Sequence, residues 1–397
     1  MAKVMAVNAG SSSLKFKLYE MPEEKVLCSG NAERIGHEDA IFGMKWNGQS
    51  EKVVLPILDH ARAVELVVEH MIQKGIVKSM DEIVAVGHRI VQGGKYFSHS
   101  ELFNKDTEDK IESLIPLAPL HNKAHLVGFR AFKKILPNVV NVAVFDTSFH
   151  QSMEPQDYVF PIPYEYTEKY DCRRYGAHGT SHQYLSQEAL RYLPGVKHPR
   201  IISCHIGSGA SITAIKDSKC VATSMGLTPL GGIMMGTRTG DLDPSVMNYL
   251  CSCTGKSVEE MYQIFNKKSG YLGVSGVSND SRDVLAACAQ GNPKAILANK
   301  IFIRRIADFI GQYFVRLGGV DMIIFSAGIG ENSWETREQI CKEITPALGL
   351  DIDYKLNASK RGEELLLSTP KSKVVVAVIP TDEEVMIARD TFAFYQK

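Results

Sequence analysis

The sequence lacks an excess of charge of either sign, and it lacks a long apolar run. Its 45 basic and 45 acidic residues leave a formal net charge of zero, which excludes the broad positive field of a nucleic-acid-binding protein. No apolar run approaches the ~20 residues of a membrane span, and Met1 and the two residues after it leave no room for a signal peptide. We therefore expect a cytoplasmic protein with no nucleic-acid or membrane partner.

Cysteine is scarce and shows no metal-binding spacing. The eight cysteines are scattered among the 397 residues, and the one close pair, Cys251 and Cys253, is too tight for a zinc site. All eight are expected to be reduced thiols, as in cytosolic proteins. The chain length favours two or three domains, and 44% apolar residues are ample for conventional cores.

Two hairpin-like segments half a chain apart share one pattern. At residues 4–18 and again at 201–215, an apolar run leads into a loop of small residues, and a second run follows. Closely spaced backbone N–H groups in such a loop bind an anion, and Lys15 adds a positive charge to the first loop. A serine-rich turn would explain either copy alone, but the repetition predicts two related domains. The matched positions are Asn8 with His205, Gly10 with Gly207, and Ser11 with Ser208.

A third glycine-rich segment, residues 326–332, follows a short apolar run at 322–325. We predict a loop here that leads into a helix, with Asn332 and Glu335 forming a capping box at the helix start. Together with the two hairpins, this segment favours a nucleotide-binding clamp.

Polar side chains follow two predicted strands in the first half. Arg89 comes after the strand at 83–87, and Asp146 comes after the strand at 139–145. Open α/β sheets carry their ligands at the carboxyl ends of strands, so both residues are site candidates. A surface arginine and a turn-capping aspartate are the alternatives. A domain boundary is predicted near residues 148–155.

The second half contains a concentration of cationic side chains. Residues 173–182 place two arginines and two histidines around glycines before a predicted helix, where anions bind well. Arg238 lies in a polar turn from which a guanidinium could swing onto a phosphoryl group. Residues 231–239 are similar to a P-loop, but threonine replaces the required lysine, so we reject that assignment. Hydrophobic periodicity predicts helices at 61–76, 126–136, 293–317 and 383–394.

Ten motifs run in order from residue 8 to residue 384 and together cover essentially the whole chain. The first five are NAGSSSLK (8–15), HRIVQGG (88–94), APLHN (118–122), FDTSFH (145–150) and RRYGAHGTSH (173–182). The second five are HIGSGAS (205–211), TPLGGIMMGTRTGDLDP (228–244), SNDSRD (278–283), AGIGEN (327–332) and PTDEE (380–384). By these motifs the chain closely resembles the acetate kinase family.

The resemblance implies a fold and an activity. The fold would be α/β, with two duplicated actin-like ATPase or sugar-kinase-type domains of ribonuclease-H-like core and a cleft between them. One domain would span residues 1–148, completed by a C-terminal helix at 383–397, and the other residues 149–382. The activity would be Mg²⁺-dependent, reversible, in-line transfer of the ATP γ-phosphoryl group to acetate, giving acetyl phosphate and ADP. The family also implies a homodimer, and Mn²⁺ is an alternative metal.

The resemblance further implies which residues form the site. The catalytic residues would be Asp146, His178 and Arg238. The metal would bind Asn8 and Glu383, whose few oxygens agree with an ion held partly by water and phosphates. The acceptor would lie in a small pocket that fits a methyl group, formed by Arg89, Val91, Leu120, Ala177 and Pro229. ATP would contact Lys15, Ser11, Ser13, His205, Ile206, Gly207, Ser208, Gly209, Asp280, Ser281, Arg282, Gly328, Ile329, Gly330, Glu331 and Asn332.

We do not expect Asp146 to act as a simple general base. A carboxylic acid acceptor with a pKa of about 4 to 5 is already ionised at neutral pH, so no proton has to be removed. Our hypothesis is that Asp146 orients Arg89, Arg238 or the water shell of the magnesium ion.

Two positions depart from the family pattern, because Gln92 and Ser208 stand where histidine and asparagine are usual. Neither change removes a catalytic charge, so we expect altered affinities rather than loss of activity. Two alternatives stay open. One is a propionate or butyrate kinase, since one extra methylene changes preference by only about 1–3 kcal/mol. The other is a non-enzymatic, nucleotide-gated protein on the same fold.

Overall fold

The computed structural model describes residues 1–119 and 121–396, which separate into two compact units. The first unit consists of Met1–Phe149 together with Asp382–Lys397, and the second consists of His150–Thr381. No helix within the described ranges is both long and apolar enough to cross a membrane.

In chain order, the strands of the two units are β1 (Ala2–Ala9), β2 (Ser13–Met21), β3 (Lys25–Glu33), β4 (His37–Trp46), β5 (Gln49–Ile57), β6 (Ile83–Ile90), β7 (Glu101–Leu102), β8 (Val140–Phe145), β9 (Arg200–Ile206), β10 (Ala210–Lys216), β11 (Lys219–Thr223), β12 (Met322–Ser326), β13 (Leu365–Leu366) and β14 (Val375–Val378).

The helices, again in chain order, are α1 (His60–Gln73), α2 (Lys105–Ser113), α3 (Asn122–Ile135), α4 (Pro155–Tyr158), α5 (Glu165–Tyr170), α6 (Gly179–Glu188), α7 (Ser245–Thr254), α8 (Val258–Lys267), α9 (Gly270–Ser275), α10 (Ser281–Ala289), α11 (Pro293–Leu317), α12 (Ala327–Asn332), α13 (Trp334–Leu348), α14 (Tyr354–Ser359) and α15 (Glu383–Tyr395). Short 3₁₀ turns lie at Met80–Glu82, Ile115–Leu117, Ser148–Ser152 and Ala189–Tyr192.

The first unit is built on a mixed sheet with the strand order β5-β4-β3-β2-β1-β6-β8-β7. Strands β1 to β5 pair antiparallel, whereas β1, β6 and β8 run parallel. Helices cover both faces, as two consecutive residues of β6 demonstrate. A Cβ on Gly87 would lie 2.6 Å from Ile387 of α15, while the ring of His88 packs edge-on against Phe129 and Phe132 of α3.

The second unit repeats the central part of that sheet, with the order β11-β10-β9-β12-β14-β13. Strands β9, β10 and β11 pair antiparallel, and β9, β12 and β14 run parallel. The predicted duplication is therefore confirmed, since β1, β2, β3, β6 and β8 correspond to β9, β10, β11, β12 and β14. Asn8 and His205 each occupy the second-last position of the first strand.

The long helix α11 lies behind this second sheet and has clear sequence signals at both ends. The Asn292 side chain accepts hydrogen bonds from the backbone N–H groups of Lys294 and Ala295, and Gly318 ends the helix with a φ of +66°. One face buries Phe302, Ile306, Ile310 and Tyr313 against the core. The predicted range 293–317 is confirmed.

Two local predictions are wrong. Arg89 does not follow its strand, because the pairing of β6 with β8 continues through Ile90 and the N–H of Asp146 donates to the Ile90 carbonyl at 2.9 Å. Residues 327–332 form the short helix α12 instead of a loop. The helix beyond it is capped by Ser333, whose Oγ accepts from the N–H of Thr336 at 3.3 Å, and not by Asn332.

Candidate active site

Arg89 and Asp146 form an ion pair with two hydrogen bonds at the carboxyl ends of strands β6 and β8 in the first unit. Arg89 Nε donates to Asp146 Oδ1 at 2.9 Å, and Nη2 donates to Oδ2 at 2.6 Å. The side chains are 18% and 1% exposed. The parallel pairing of β6 with β8 brings the two residues together, because Arg89 is level with Val144. Both carboxylate oxygens are thus occupied in holding the guanidinium in one orientation.

The guanidinium of Arg89 stays charged despite its burial. Burial by itself would lower the pKa of Arg89, but the neighbouring carboxylates of Asp146 and Glu383 outweigh it and raise that pKa. A charged guanidinium held at the carboxyl end of a strand can bind an anionic acceptor.

Glu383 lies beside this pair as the first residue of α15. Its Oε1 atom is buried and has no hydrogen-bond partner among the described residues. Burial raises the pKa of Glu383, and Asp146 and Glu384 add to the effect, while Arg89 and Lys15 oppose it. An unpartnered buried carboxylate oxygen is costly, so a cation at this position would satisfy it. Within the described ranges, no group of three or more His, Cys, Asp or Glu side chains is arranged to hold a metal by itself.

The sequence prediction missed His125 of α3, which belongs to the same neighbourhood. His125 is 3% exposed, and apart from the backbone of Ala9 its ring nitrogens have no hydrogen-bond partner within the part of the chain that the structure describes. Burial, followed by the charge of Arg89, lowers the pKa of His125 to about 3, so the ring is neutral. A signal was present in the sequence, because His121 and His125 lie one helical turn apart.

In the second unit, His178 is held in place from two sides. Its Nδ1 lies 2.9 Å from Ser211 Oγ, and its ring stacks on His205 with centroids 4.1 Å apart. His205 in turn has its Nδ1 2.8 Å from Ser181 Oγ. His178 also has a φ of +59°, a left-handed conformation that is uncommon outside glycine and typical of functional sites.

Arg238 lies next to the turn at residues 207–209, which joins β9 to β10. A Cβ on Gly209 would lie 3.4 Å from Arg238 Nη1 and 3.7 Å from His178 Nε2. Arg238 Nη1 donates to the Pro229 carbonyl at 3.0 Å and lies 3.5 Å from Met235 Sδ, and no carboxylate pairs with it among the described residues. Burial lowers the pKa of this guanidinium. A partly buried cation without a counter-charge favours an anionic ligand.

A cleft of ≈ 910 Å³ opens in the same unit. Its lining includes seven of the residues predicted to bind ATP, namely Ser208, Asp280, Ser281, Arg282, Gly328, Ile329 and Asn332. Close backbone contacts shape its base, since the Gly236 N–H donates to the Ser208 carbonyl at 3.3 Å. A Cβ on Gly236 would lie 2.9 Å from the Asn279 carbonyl oxygen. The predicted nucleotide segments therefore converge around one cavity.

The remaining residues predicted for ATP lie around or outside this cleft. In the turn, the Gly207 N–H donates to the Gly209 carbonyl at 3.2 Å, and a Cβ on Gly207 would be 3.9 Å from the Gly328 nitrogen. Ile206 and Gly330 are buried beneath the surface. The Glu331 carboxylate instead accepts backbone N–H groups, from Ala327 at 2.7 Å and Thr381 at 3.1 Å. Ser11, Ser13 and Lys15 belong to the first unit, where Ser11 and Lys15 are exposed.

Asp280 already has a partner in this structure. It caps α10 by accepting from the Arg282 N–H at 2.9 Å, and its carboxylate pairs with the Arg282 guanidinium. These hydrogen bonds from Arg282 lower the pKa of Asp280 to about 2. The Arg282 side chain is 86% exposed, so a sugar hydroxyl could replace it at the carboxylate at little cost.

An apolar wall of the cleft was also missed. Leu285, Ala286 and Ala289 of α10 line the cavity, whereas Val284 and Ala287 face the core. Apolar residues on two sides of one short helix were the available signal. Ser333, Glu335, Gln339 and Arg361 also line the cavity.

The predicted acceptor residues are described only in part. Val91 is 7% exposed and lies in the first unit, whereas Ala177 is buried in the core of the second unit, and Leu120 lies outside the described residues. Gln92 is buried and structures its own loop, because its Oε1 accepts from the Gly94 N–H at 2.8 Å. The acceptor pocket therefore stays a prediction.

The chain is similar in sequence and in fold to known acetate and propionate kinases. The profile of the acetokinase family matches residues 3–389. The acetate kinase of Anoxybacillus flavithermus is 52% identical over 391 residues, 98% of both chains, and that of Bacillus subtilis is 50% identical over 391 residues, again 98% of both. The crystal structure of Porphyromonas gingivalis acetate kinase has a TM-score of 0.94 at 44% identity, with both chains fully covered. A propionate kinase from Francisella tularensis has a TM-score of 0.92 at 40% identity, covering 99% of this chain and 100% of the other.

Two duplicated mixed α/β units, together with the close structural match to an acetate kinase, define a phosphotransferase of the actin-like type. Within that class, the chain belongs to the acetokinase family.

Proposed function

We propose that the chain is an acetate kinase, which reversibly transfers the γ-phosphoryl group of ATP to acetate and gives acetyl phosphate and ADP. A carboxylate oxygen of acetate attacks the γ-phosphorus, and the bond from that phosphorus to the β,γ-bridging oxygen breaks. The observation that carries the proposal is Arg238, a partly buried guanidinium beside the 207–209 turn without a carboxylate partner among the described residues. Phosphoryl transfer needs such a charge beside the equatorial oxygens of the migrating group.

The second unit would bind the donor. Phosphates would lie along the 207–209 turn, where the edge of His178 and the guanidinium of Arg238 both approach Gly209. The nucleoside would occupy the ≈ 910 Å³ cleft, with the base against the apolar wall of α10 and Asp280 accepting from a ribose hydroxyl. Lys15, Ser11 and Ser13 of the first unit are proposed as further phosphate contacts by the family resemblance.

The first unit would bind the acceptor. Arg89 pairs with the carboxylate of acetate, and Asp146 holds Arg89 in the required orientation. Of the three roles for Asp146 suggested by the sequence, this geometry supports the orientation of Arg89. Val91, Leu120, Ala177 and Pro229 are proposed as the walls around the methyl group.

Asn8 and Glu383 would hold Mg²⁺, with Mn²⁺ as the alternative. The buried, unpartnered Oε1 of Glu383 fits a divalent cation. When bound, the ion neutralises charge on the nucleotide phosphates. The family resemblance also suggests a homodimer in the cytoplasm.

Propionate kinase is the second candidate, because a protein of that name shares 40% identity and a TM-score of 0.92 with this chain. An additional methylene is discriminated by only about 1–3 kcal/mol in an apolar pocket. We expect propionate to be a slower substrate than acetate, with butyrate slower still.

The test is a coupled assay for ADP formation with acetate, propionate and butyrate, combined with hydroxamate trapping of the acyl phosphate. Arg238→Ala should lower kcat on acetate about 10²- to 10³-fold, the loss expected when one fixed donor to a developing charge is removed, while ADP binding is largely kept. Arg305→Ala, at an exposed position of α11, is the matched control and should match the parent. If the parent forms no acyl hydroxamate with any of these acids, the chain is not a carboxylate kinase. A higher kcat/KM on propionate would favour the second candidate.

A further inference from the structure

A chain of hydrogen bonds runs behind His178 into the core of the second unit. Ser211 Oγ lies 2.9 Å from His178 Nδ1 and 2.8 Å from His182 Nε2. On the far side, His182 Nδ1 lies 2.9 Å from Ser203 Oγ. His182, Ser203 and Ser211 are all fully buried, so their hydrogen bonds have to be completed within the protein.

Only one direction of donation gives every hydroxyl proton in this series of hydrogen bonds an acceptor. Ser203 Oγ has His182 Nδ1 as its sole hydrogen-bond partner among the described residues, so the serine proton points to that nitrogen. His182 then carries its own proton on Nε2 and donates it to Ser211 Oγ. The reverse direction would leave the Ser203 proton buried without an acceptor, which is costly.

His182 has one proton to donate, not two. Burial lowers the pKa of His182 well below its usual range, and the nearby rings of His150 and His205 lower it further. Their centroids lie 5.8 Å and 6.1 Å from that of His182. A neutral imidazole donates from one nitrogen and accepts at the other. The hydrogen bond that His182 accepts from Ser203 therefore fixes the hydrogen bond that it donates to Ser211.

We propose that His182 is a positioning residue that, through Ser211, keeps Nδ1 of His178 unprotonated and the ring proton on Nε2. The Ser211 hydroxyl donates to His178 Nδ1, which leaves Nε2 as the N–H donor. The Cε1 and Nε2 atoms of His178 lie 3.7 Å from the point where a Cβ on Gly209 would stand, and Arg238 Nη1 lies 3.4 Å from that point. His178 therefore presents an N–H donor beside the guanidinium, towards the 207–209 turn.

The role of this donor in phosphoryl transfer depends on the function proposed above, whereas the hydrogen-bond chain does not. In that reaction, a fixed N–H would bind a phosphoryl oxygen in every molecule of the enzyme, instead of only in the fraction with the correct tautomer. His178 would act directly on the substrate, while His182 and Ser211 would act through it.

The direct test is ¹⁵N NMR of the full-length enzyme labelled only at histidine, with the His178 signals assigned from the spectrum of His178→Gln. We expect Nδ1 of His178 to resonate as an unprotonated nitrogen and Nε2 as a protonated one at neutral pH. A protonated Nδ1 would overturn the proposal. Because this measurement needs no catalysis, it can fail or succeed independently of the acetate kinase assay.

Two substitutions extend the test to activity. Ser211→Ala removes the link, so kcat should fall about 10- to 100-fold, the range expected for a misplaced catalytic group. The KM for ATP should change less than about threefold, because little ground-state binding is lost. Ser211→Thr keeps the hydroxyl and should retain the parent tautomer and most of the kcat. Parent-like kcat and ¹⁵N signals in Ser211→Ala would contradict the proposal, and if that variant does not fold, the spectrum of the parent still decides.

Discussion

Replacing Asp146 by asparagine tests whether this carboxylate acts through Arg89. Both of its oxygens now accept from the guanidinium, at 2.9 Å and 2.6 Å. An amide has the same shape but a single oxygen, so Asp146→Asn places an NH₂ group against one guanidinium donor. It also leaves a charge on Arg89 without its partner.

The size of the expected loss in unfolding free energy follows from the burial of the Arg89–Asp146 pair. Asp146 is 1% exposed and Arg89 is 18% exposed, so solvent screens the charges only weakly. Removing one member of a buried pair costs about 3–5 kcal/mol. Because Arg89 keeps some contact with solvent, we expect a loss near the lower end, about 3 kcal/mol, in the unfolding free energy. A displacement of Arg89 by ~1 Å would lower kcat about 10²-fold.

The assay is a double-mutant cycle in ADP formation with Asp146→Asn, Arg89→Ala and the combined variant. If Asp146 acts only through Arg89, the asparagine should lower kcat less than about threefold once Arg89 is absent. Losses that multiply in the combined variant would refute this reasoning and would indicate a separate role for Asp146.

Two further predictions concern the cleft and the buried histidines. Gly236→Ala would place a Cβ 2.9 Å from the Asn279 carbonyl oxygen at the base of the cleft, so the KM for ATP should rise about tenfold or more while the KM for acetate stays constant. Gly311→Ala in α11 meets no atom within 4 Å and, as the control, should leave both KM values unchanged and stabilise the helix by up to about 1 kcal/mol; a similar KM for ATP in the two variants would contradict the prediction. Burial lowers the pKa of His88 to about 4, and for a base with a depressed pKa the full stability is present above pH ~6.5 and is lost as the pH falls towards that value, which amounts to about 2 kcal/mol by pH ~5. In urea unfolding at pH ~8 and pH ~5, the unfolding free energy of His88→Gln should change by about 2 kcal/mol less than that of the parent. Equal changes in the two proteins would argue against the buried neutral ring.

Local signals in the sequence were sufficient for the two hairpins and for the long helix α11. The glycine-serine loops at residues 10–12 and 207–209 do join antiparallel strands, and the range 293–317 is a helix because a capping asparagine and a closing glycine bracket its apolar stripe. The duplication was visible because each loop follows an apolar run that now proves to be a central strand. Spacing within one element carries this information.

Contacts between separate elements could not be predicted from the sequence. The pairing of Arg89 with Asp146 depends on the register of β6 and β8, and the motifs left it as one of three hypotheses for Asp146. His125 and the apolar wall on α10 were missed because what makes each a site candidate is its tertiary surroundings. For the histidine this is burial beside Arg89, and for the wall it is the adjoining cavity. The start of α13 moved from Asn332 to Ser333 because either residue type caps a helix well, and only the hydrogen bond to Thr336 decides between them.

The two duplicated hairpins carry different polar side chains at equivalent positions, and burial explains the difference. Across the hairpin, Asn8 pairs with Lys15 in the first unit, and His205 pairs with Ser211 in the second. Lys15 is exposed, so its ammonium remains hydrated at little cost, whereas Ser211 is fully buried against a neutral imidazole. A lysine at the Ser211 position would bury a charge that has no carboxylate partner there among the described residues, and a serine at the Lys15 position would remove an exposed cation from beside the loop. Equivalent positions therefore diverged according to what covers them, a charge where solvent is available and a hydrogen-bond chain where α6 closes over the sheet.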